Sequence, residues 1–140
     1  MCSYNAVNGK PSCANDWLLK TVAREAWGFD GYITSDCGAV SDVYNQHHFA
    51  KTPEETVKAV LAAGTDVDCT TFIGQHAQSA LDQKLISVDD IDARLRMLFR
   101  VRMRLSHFDP PGPLQRILPS AVCSPYARAL AADGVTQSAT

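Results

Sequence analysis

The chain has 140 residues, 46% of them hydrophobic and 20% charged, with a formal net charge of −2. That length holds one modest domain around one core, and the charge balance gives no electrostatic ground for a nucleic-acid or anionic-membrane partner. Every apolar run falls well short of the roughly 18 residues that mark a spanning helix. Met1 is followed by Cys2-Ser3-Tyr4-Asn5, not by the basic and long apolar stretches of a secretion signal. The five cysteines (Cys2, Cys13, Cys37, Cys69, Cys123) are scattered, with no Cys-x-x-Cys and no zinc-type spacing. Such a set suits an extracellular protein with disulfides and at least one thiol left over. The missing signal is then expected to mean that the chain does not start at the native N-terminus.

In chain order, Met1 to Asn5 reads as a short strand closed by the turn-forming 7–11. Asn15 or Asp16 is positioned to cap a helix running towards Trp27, with Trp17, Leu18, Val22 and Ala26 on one face and Gly28 as its stop. Asp30-Gly31 turns the chain, and Tyr32-Ile33-Thr34-Ser35 is β-branched and aromatic, which favours a strand. Thr52-Pro53-Glu54-Glu55 combines a cap, a first-position proline and first-turn acids, so a helix is expected from there to Gly64. Thr65 to Cys69 reads as a short strand, and Gln75 to Gln83 as a helix. Ser87 with Asp90 resembles a capping box, opening a helix whose apolar stripe is Ile91, Leu95, Leu98 and Leu105. Asp109-Pro-Pro-Gly-Pro113, with Pro119 and Pro125, reads as a linker, after which Tyr126 to Ala132 starts a further helix. Strands alternating with helices imply a parallel α/β arrangement. Three strands close no barrel and leave apolar surface uncovered, so the chain is expected to be incomplete.

Asp36 ends the strand at Tyr32–Ser35 and precedes Cys37-Gly38, where glycine permits a sharp turn. In parallel α/β folds, functional side chains project from the C-terminal ends of strands. Taken alone, an aspartate at such a place is more often a cap or turn residue, and Asp42 is discounted more heavily. His47-His48, His76 and His107 lack the spacing of a metal site and read as solvated loop residues. Arg94, Arg96, Arg100, Arg102 and Arg104 share a helix with Asp89, Asp90 and Asp92, which fits a solvated face with snorkelling stems.

Two stretches, 1–15 (MCSYNAVNGKPSCAN) and 27–40 (WGFDGYITSDCGAV), resemble consecutive strand-and-loop segments of glycoside hydrolase family 3, most of all its β-xylosidase and α-arabinofuranosidase branch. Residues 63–69 (AGTDVDC) and 86–105 (ISVDDIDARLRMLFRVRMRL) resemble it further, in the same order. The likeness covers 1–109 well and the tail from Cys123 only loosely. It implies a (β/α)8 TIM barrel followed by an α/β sandwich domain. Residues 1–108 would be the C-terminal part of the barrel, resembling its sixth to eighth strands; 109–125 the Pro-rich linker; and 126–140 the truncated start of the second domain. By the same resemblance Asp36 is the nucleophile of a retaining β-glycosidase acting on a β-linked pentoside. Tyr4 is a substrate-site residue close to it, with Asn5 and Asn8 weaker candidates. A carbohydrate is the expected partner, and no cofactor or metal is implied. Cys2 and Cys13 flank one strand-and-loop segment and Cys37 and Cys69 follow adjacent strands, so those two pairings are possible, with connectivity left open. The family's acid/base and upstream strands have no match here, so the chain is expected to be an inactive fragment of an extracellular parent. The alternative is a non-catalytic carbohydrate-binding remnant.

Overall fold

A computed structural model describes residues 1–138, which divide into two compact units, Met1–His107 and a second that begins at Phe108. In the first unit, extended segments around Cys2, Thr34-Ser35 and Val67 lie side by side and parallel. The Thr34 carbonyl accepts from Cys2 N–H and the Cys2 carbonyl from Asp36 N–H, both at 2.8 Å. On the other flank, Ser35 N–H donates to Val67 O at 2.8 Å and Val67 N–H to Ile33 O at 3.1 Å. The expected strands at 1–5, 32–35 and 65–69 are thus present only as isolated bridges. Each run is cut short by its own turn, so a parallel ladder, with its slanted bonds to alternate residues, has few residues to engage.

Between the first two segments lies a hairpin of β1 (Ala6–Val7) and β2 (Lys10–Pro11). Its two-residue turn places Asn8 and Gly9 at φ of 52° and 79°, the positive pair that suits an Asn-Gly hairpin turn. The buried Asn15 side chain donates to Val7 O at 3.0 Å and accepts from Leu18 N–H at 3.1 Å. It therefore ties the hairpin to the helix that follows, while Asp16 pairs instead with Lys10. That helix, Trp17–Ala26, is π-wound; Trp27 N–H reaches back five residues to Val22 O. The wider winding turns Leu19 inward and leaves Trp17 and Ala26 exposed, in place of the expected face.

The α-helices of this unit are α1 (Ala39–Asn45), α2 (Pro53–Ala63), α3 (Phe72–Asp82) and α4 (Val88–Arg104). The start of α2 is as its sequence predicts: Thr52 Oγ1 accepts from Glu55 N–H, Pro53 opens the helix, and Gly64 ends it at φ 109°. The Ser87–Asp90 capping box at α4 is formed from both sides. Helix α3 begins earlier than expected, because Asp68 Oδ2 accepts from Ile73 N–H and satisfies a donor of its first turn. Val40, Val43 and Val60 are fully buried with Leu19 and Ile33, and a second cluster joins Val57, Leu61, Ala80 and Ile86. Along α4 no residue is buried, so the expected stripe is only partly covered within the unit. Cys2–Cys13 and Cys37–Cys69 form disulfides and Cys123 is free.

In the second unit, single 3-10 turns at Leu114–Arg116 and Pro119–Ala121 precede α5 (Pro125–Ser138). Ser124 Oγ accepts from Ala127 N–H at the start of α5. Among the described residues, no helix is long and apolar enough to cross a membrane.

One ionic cluster crosses the first unit. The Asp66 side chain is wholly buried and meets Arg24 at 2.5 Å and Arg94 at 3.0 Å, and it accepts from Ile33 N–H at 2.7 Å. Burial pushes the Asp66 carboxyl up, while the Ile33 N–H and the Arg24 and Arg94 guanidiniums pull it back. Arg24 also donates to Gly31 O at 3.0 Å, and aiming its terminal nitrogens this way leaves its Nε buried without a partner. Arg94 is therefore not part of a solvated face, and Arg104 pairs with Asp30 at 2.5 Å. Arg94 corrects the expectation for the arginines of α4, whereas Arg104 stays exposed; each finds a carboxylate far away in sequence that helical spacing does not reveal. Removing Asp66 strands two half-buried guanidiniums. We expect Asp66→Ala to lower the unfolding free energy by about 3 kcal/mol, read as a shift in the urea midpoint at unchanged slope.

Candidate active site at the C-terminal rim of the parallel segments

Asp36 stands where the central extended segment ends. Its N–H is bonded to Cys2 O, its carbonyl accepts from Ala39 N–H at 3.0 Å, and its Oδ1 accepts from Cys37 N–H at 2.7 Å. Three bonds around one residue leave the backbone little freedom, and the side chain is half-buried. The chain then turns at Gly38, whose φ of 95° an L side chain rarely adopts, and enters α1.

Tyr4 comes from the neighbouring segment. Its phenol donates to Cys37 O at 2.7 Å, across 33 positions of sequence, and its ring lies over Gly38. Desolvation, then the negative charge of Asp36 and a hydrogen bond with it, then the charge of Asp42, hold the phenol above the usual tyrosine range. The two residues singled out from the sequence are thus brought together. Asn5 and Asn8 are not part of this rim. Asn5 Oδ1 accepts from Ser3 Oγ at 2.6 Å and Ser12 Oγ at 3.2 Å, and Asn8 forms the hairpin turn.

The Cys37–Cys69 disulfide joins the loops that follow the second and third segments, so the carbonyl that receives the Tyr4 phenol is covalently tethered. Ser35 Oγ accepts from Cys69 N–H at 2.9 Å and fixes the same loop from below. His47 corrects the expectation of a solvated loop histidine: it is half-buried and its Nε2 lies 2.7 Å from Tyr4 O. Nothing in the His-His pair signals this, because the contact spans 43 positions. His48 is exposed, and His76 stands beside Phe72 with Nδ1 4.0 Å from Glu54. Among the described residues no group of three or more potential metal ligands gathers. A hollow of about 600 Å3 is lined by Met1, Leu18, Trp27, Phe29 and Ile33. It gathers at the N-terminal end of the segments and contains neither Tyr4 nor Asp36.

A fixed carboxylate beside a phenol, at the C-terminal rim of parallel segments, is an arrangement that can serve nucleophilic or acid–base chemistry. The model of the glycosyl hydrolase family 3 N-terminal domain matches residues 1–101, and the chain belongs to that family. It is 52% identical over 136 residues to a probable beta-D-xylosidase 7 of Arabidopsis thaliana, with 95% of this chain and 18% of that protein covered. A probable exo-1,4-beta-xylosidase of Aspergillus fumigatus is 44% identical, covering 94% of this chain and 18% of that one. Among solved structures, an exo-beta-xylosidase in complex with a xylobiose aziridine activity-based probe superposes with a TM-score of 0.79 at 34% identity, over 97% of this chain and 18% of that chain. A beta-glucosidase from Listeria innocua superposes with a TM-score of 0.77 at 27% identity, over 89% of this chain and 18% of that one. The fold is α/β of the TIM-barrel type. The chain spans about a fifth of the length of these relatives (18%).

The raised phenol has a testable consequence. Because the protonated form is favoured, Tyr4 holds its proton further into the alkaline range than a free tyrosine. Removing the neighbouring charge in Asp36→Asn is expected to move that titration back down towards the ordinary value near about 10. The change is followed by NMR of ring-labelled tyrosine across an alkaline pH series; an unmoved titration shows that Asp36 exerts no field on Tyr4.

Proposed function

We propose that this chain carries the nucleophile-bearing part of a retaining β-glycosidase acting on terminal β-linked xylose, with Asp36 as nucleophile and Tyr4 as a substrate-site residue beside it. The observation that carries the reading is the placement of Asp36: at the C-terminal end of the middle parallel segment, one oxygen anchored by Cys37 N–H, against the Tyr4 phenol. Family membership supports glycoside hydrolysis, and the names of the relatives in Arabidopsis and Aspergillus support a xyloside.

In the first step an Asp36 oxygen attacks the anomeric carbon as the glycosidic C–O bond breaks, and the departing oxygen takes a proton from an acid/base group elsewhere in the whole protein. Water, deprotonated by the same group, then cleaves the acylal ester and restores the carboxylate. Retaining chemistry sets the two carboxyl groups about 5–5.5 Å apart. The Tyr4 phenol, kept protonated with its O–H on Cys37 O, adds no second negative charge beside Asp36.

In this reading the three parallel segments are the sixth to eighth strands of a (β/α)8 barrel, residues 109–125 link it to a second α/β domain, and that domain begins at 126. Among the described residues both flanks of the three-segment sheet are unpaired, and closure into a barrel is one way a protein removes such edges. Two disulfides support an extracellular setting.

Expressed from the full reading frame, Asp36→Gly is expected to lose about a thousandfold or more in kcat/KM on an aryl β-xyloside. A 2-fluoro-xyloside should label the peptide containing Asp36; a label on any other residue sinks the assignment. The 140 residues alone are expected to show no turnover of the same substrate, since the acid/base and most of the sugar pocket are proposed to lie elsewhere. Measurable cleavage by this chain, lost in Asp36→Gly, overturns that part of the reading.

A further inference from the structure

In a parallel ladder every second residue bonds to a given neighbour, its carbonyl being met by the N–H two residues beyond the carbonyl that its own N–H reaches. Between the first two segments this pattern runs through Cys2 N–H to Thr34 O and Asp36 N–H to Cys2 O. Continued by one step, it would bring Gly38 N–H to Tyr4 O. The step is missing because the chain turns at Gly38 and the Asp36 carbonyl is already taken by Ala39 N–H. Tyr4 O would be left at the rim without its ladder donor.

His47 occupies that vacancy. A carbonyl oxygen only accepts, so the 2.7 Å contact requires the proton on His47 Nε2. The imidazole is itself held in place: His47 N–H donates to Asp42 O at 2.9 Å, wrapping the end of α1, and the residue is half-buried. Helix α1 therefore touches the rim at both ends, through Ala39 N–H on the Asp36 carbonyl and through the His47 ring on the Tyr4 carbonyl. Tyr4 is pinned twice, by its backbone to His47 and by its phenol to Cys37 O.

We propose that His47 is a positioning residue for the reaction at Asp36, its Nε2–H replacing the lost ladder donor and so setting where the Tyr4 phenol stands beside the carboxylate. This rests on the reading of Asp36 as nucleophile. His47 touches neither substrate nor the reacting atoms; its effect passes through Tyr4.

The test uses the protein expressed from the full reading frame, with His47→Phe, which keeps a ring but no donor, and His47→Gln, whose amide N–H reaches a similar point. Each is made alone and together with Tyr4→Phe. The readouts are the rate of covalent trapping by a 2-fluoro-xyloside, and kcat and KM on an aryl β-xyloside. His47→Phe is expected to slow trapping by about tenfold with KM changed less than about twofold, the scale of a small misplacement of a reacting partner. His47→Gln should recover most of that loss. In the Tyr4→Phe background His47→Phe should add less than about twofold, because residues acting as one unit are not additive. Trapping at the unsubstituted rate in His47→Phe, losses that multiply in the double variant, or a His47→Gln as slow as His47→Phe each overturns the proposal. Should His47→Phe fold poorly, His47→Ala takes its place in the same cycle with Tyr4→Phe, and trapping at the unsubstituted rate in it overturns the proposal. Asp36→Gly run in parallel separates the two readings: trapping that survives it brings down the nucleophile itself, whereas its loss with His47 variants unaffected brings down only the positioning role.

Discussion

The rest of the first unit depends on one buried carboxylate. Asp66 draws together the π-wound helix through Arg24, α4 through Arg94 and the central extended segment through Ile33 N–H. Its own N–H returns a bond to Ile33 O at 2.8 Å, so one residue fixes the register of two neighbouring segments by backbone and side chain together. A buried ion pair earns little net stability against an apolar substitute, because desolvation offsets the Coulombic gain. What it supplies here is a common anchor: one carboxylate, satisfied by two guanidiniums and an amide, ties three elements together.

That register is transmitted to the rim. Three residues beyond Ile33 stands Asp36, and the bonds from Ser35 to Val67 and from Asp36 to Cys2 carry the alignment to both sides. At the rim the backbone stops forming a ladder and side chains take over: the Tyr4 phenol on Cys37 O, the Ser35 hydroxyl under Cys69 N–H, the His47 ring on Tyr4 O, and a disulfide from Cys37 to Cys69. A short parallel sheet is a weak platform for a fixed carboxylate. Covalent and side-chain bonds at its C-terminal edge make up the rigidity that such short segments lack, and they do so where a carboxylate at a strand end is open to a ligand.

Local physics made several elements legible beforehand. The start of α2 at Thr52-Pro53, its end at Gly64, the Asn8-Gly9 turn and the Ser87–Asp90 box each depend on residues a few positions apart. Such signals survive into the fold because nothing distant competes with them. The helix after Asn15 was foreseeable in place but not in winding, and the π winding moved Leu19, not Trp17, to the inside. The arginines of α4 looked like a charged face, since helical spacing shows acids nearby and says nothing of Asp66 or Asp30.

By itself the sequence determined the helix caps and turns, the order of β-prone and helical segments, the marked position of Asp36 before Cys37-Gly38, and the family to which these motifs point. Each is a matter of neighbouring residues or of an ordered set of short motifs. Only the tertiary structure decided which face of each helix is buried, that Asp66 and not the surface binds Arg24 and Arg94, which cysteines pair, and that Tyr4 and His47 meet beside Asp36. Apart from the Cys2–Cys13 pair, 11 positions apart, these contacts join positions 28 to 43 apart. No local preference encodes such partners; they exist only once the parallel segments have come into register and brought their ends to one rim.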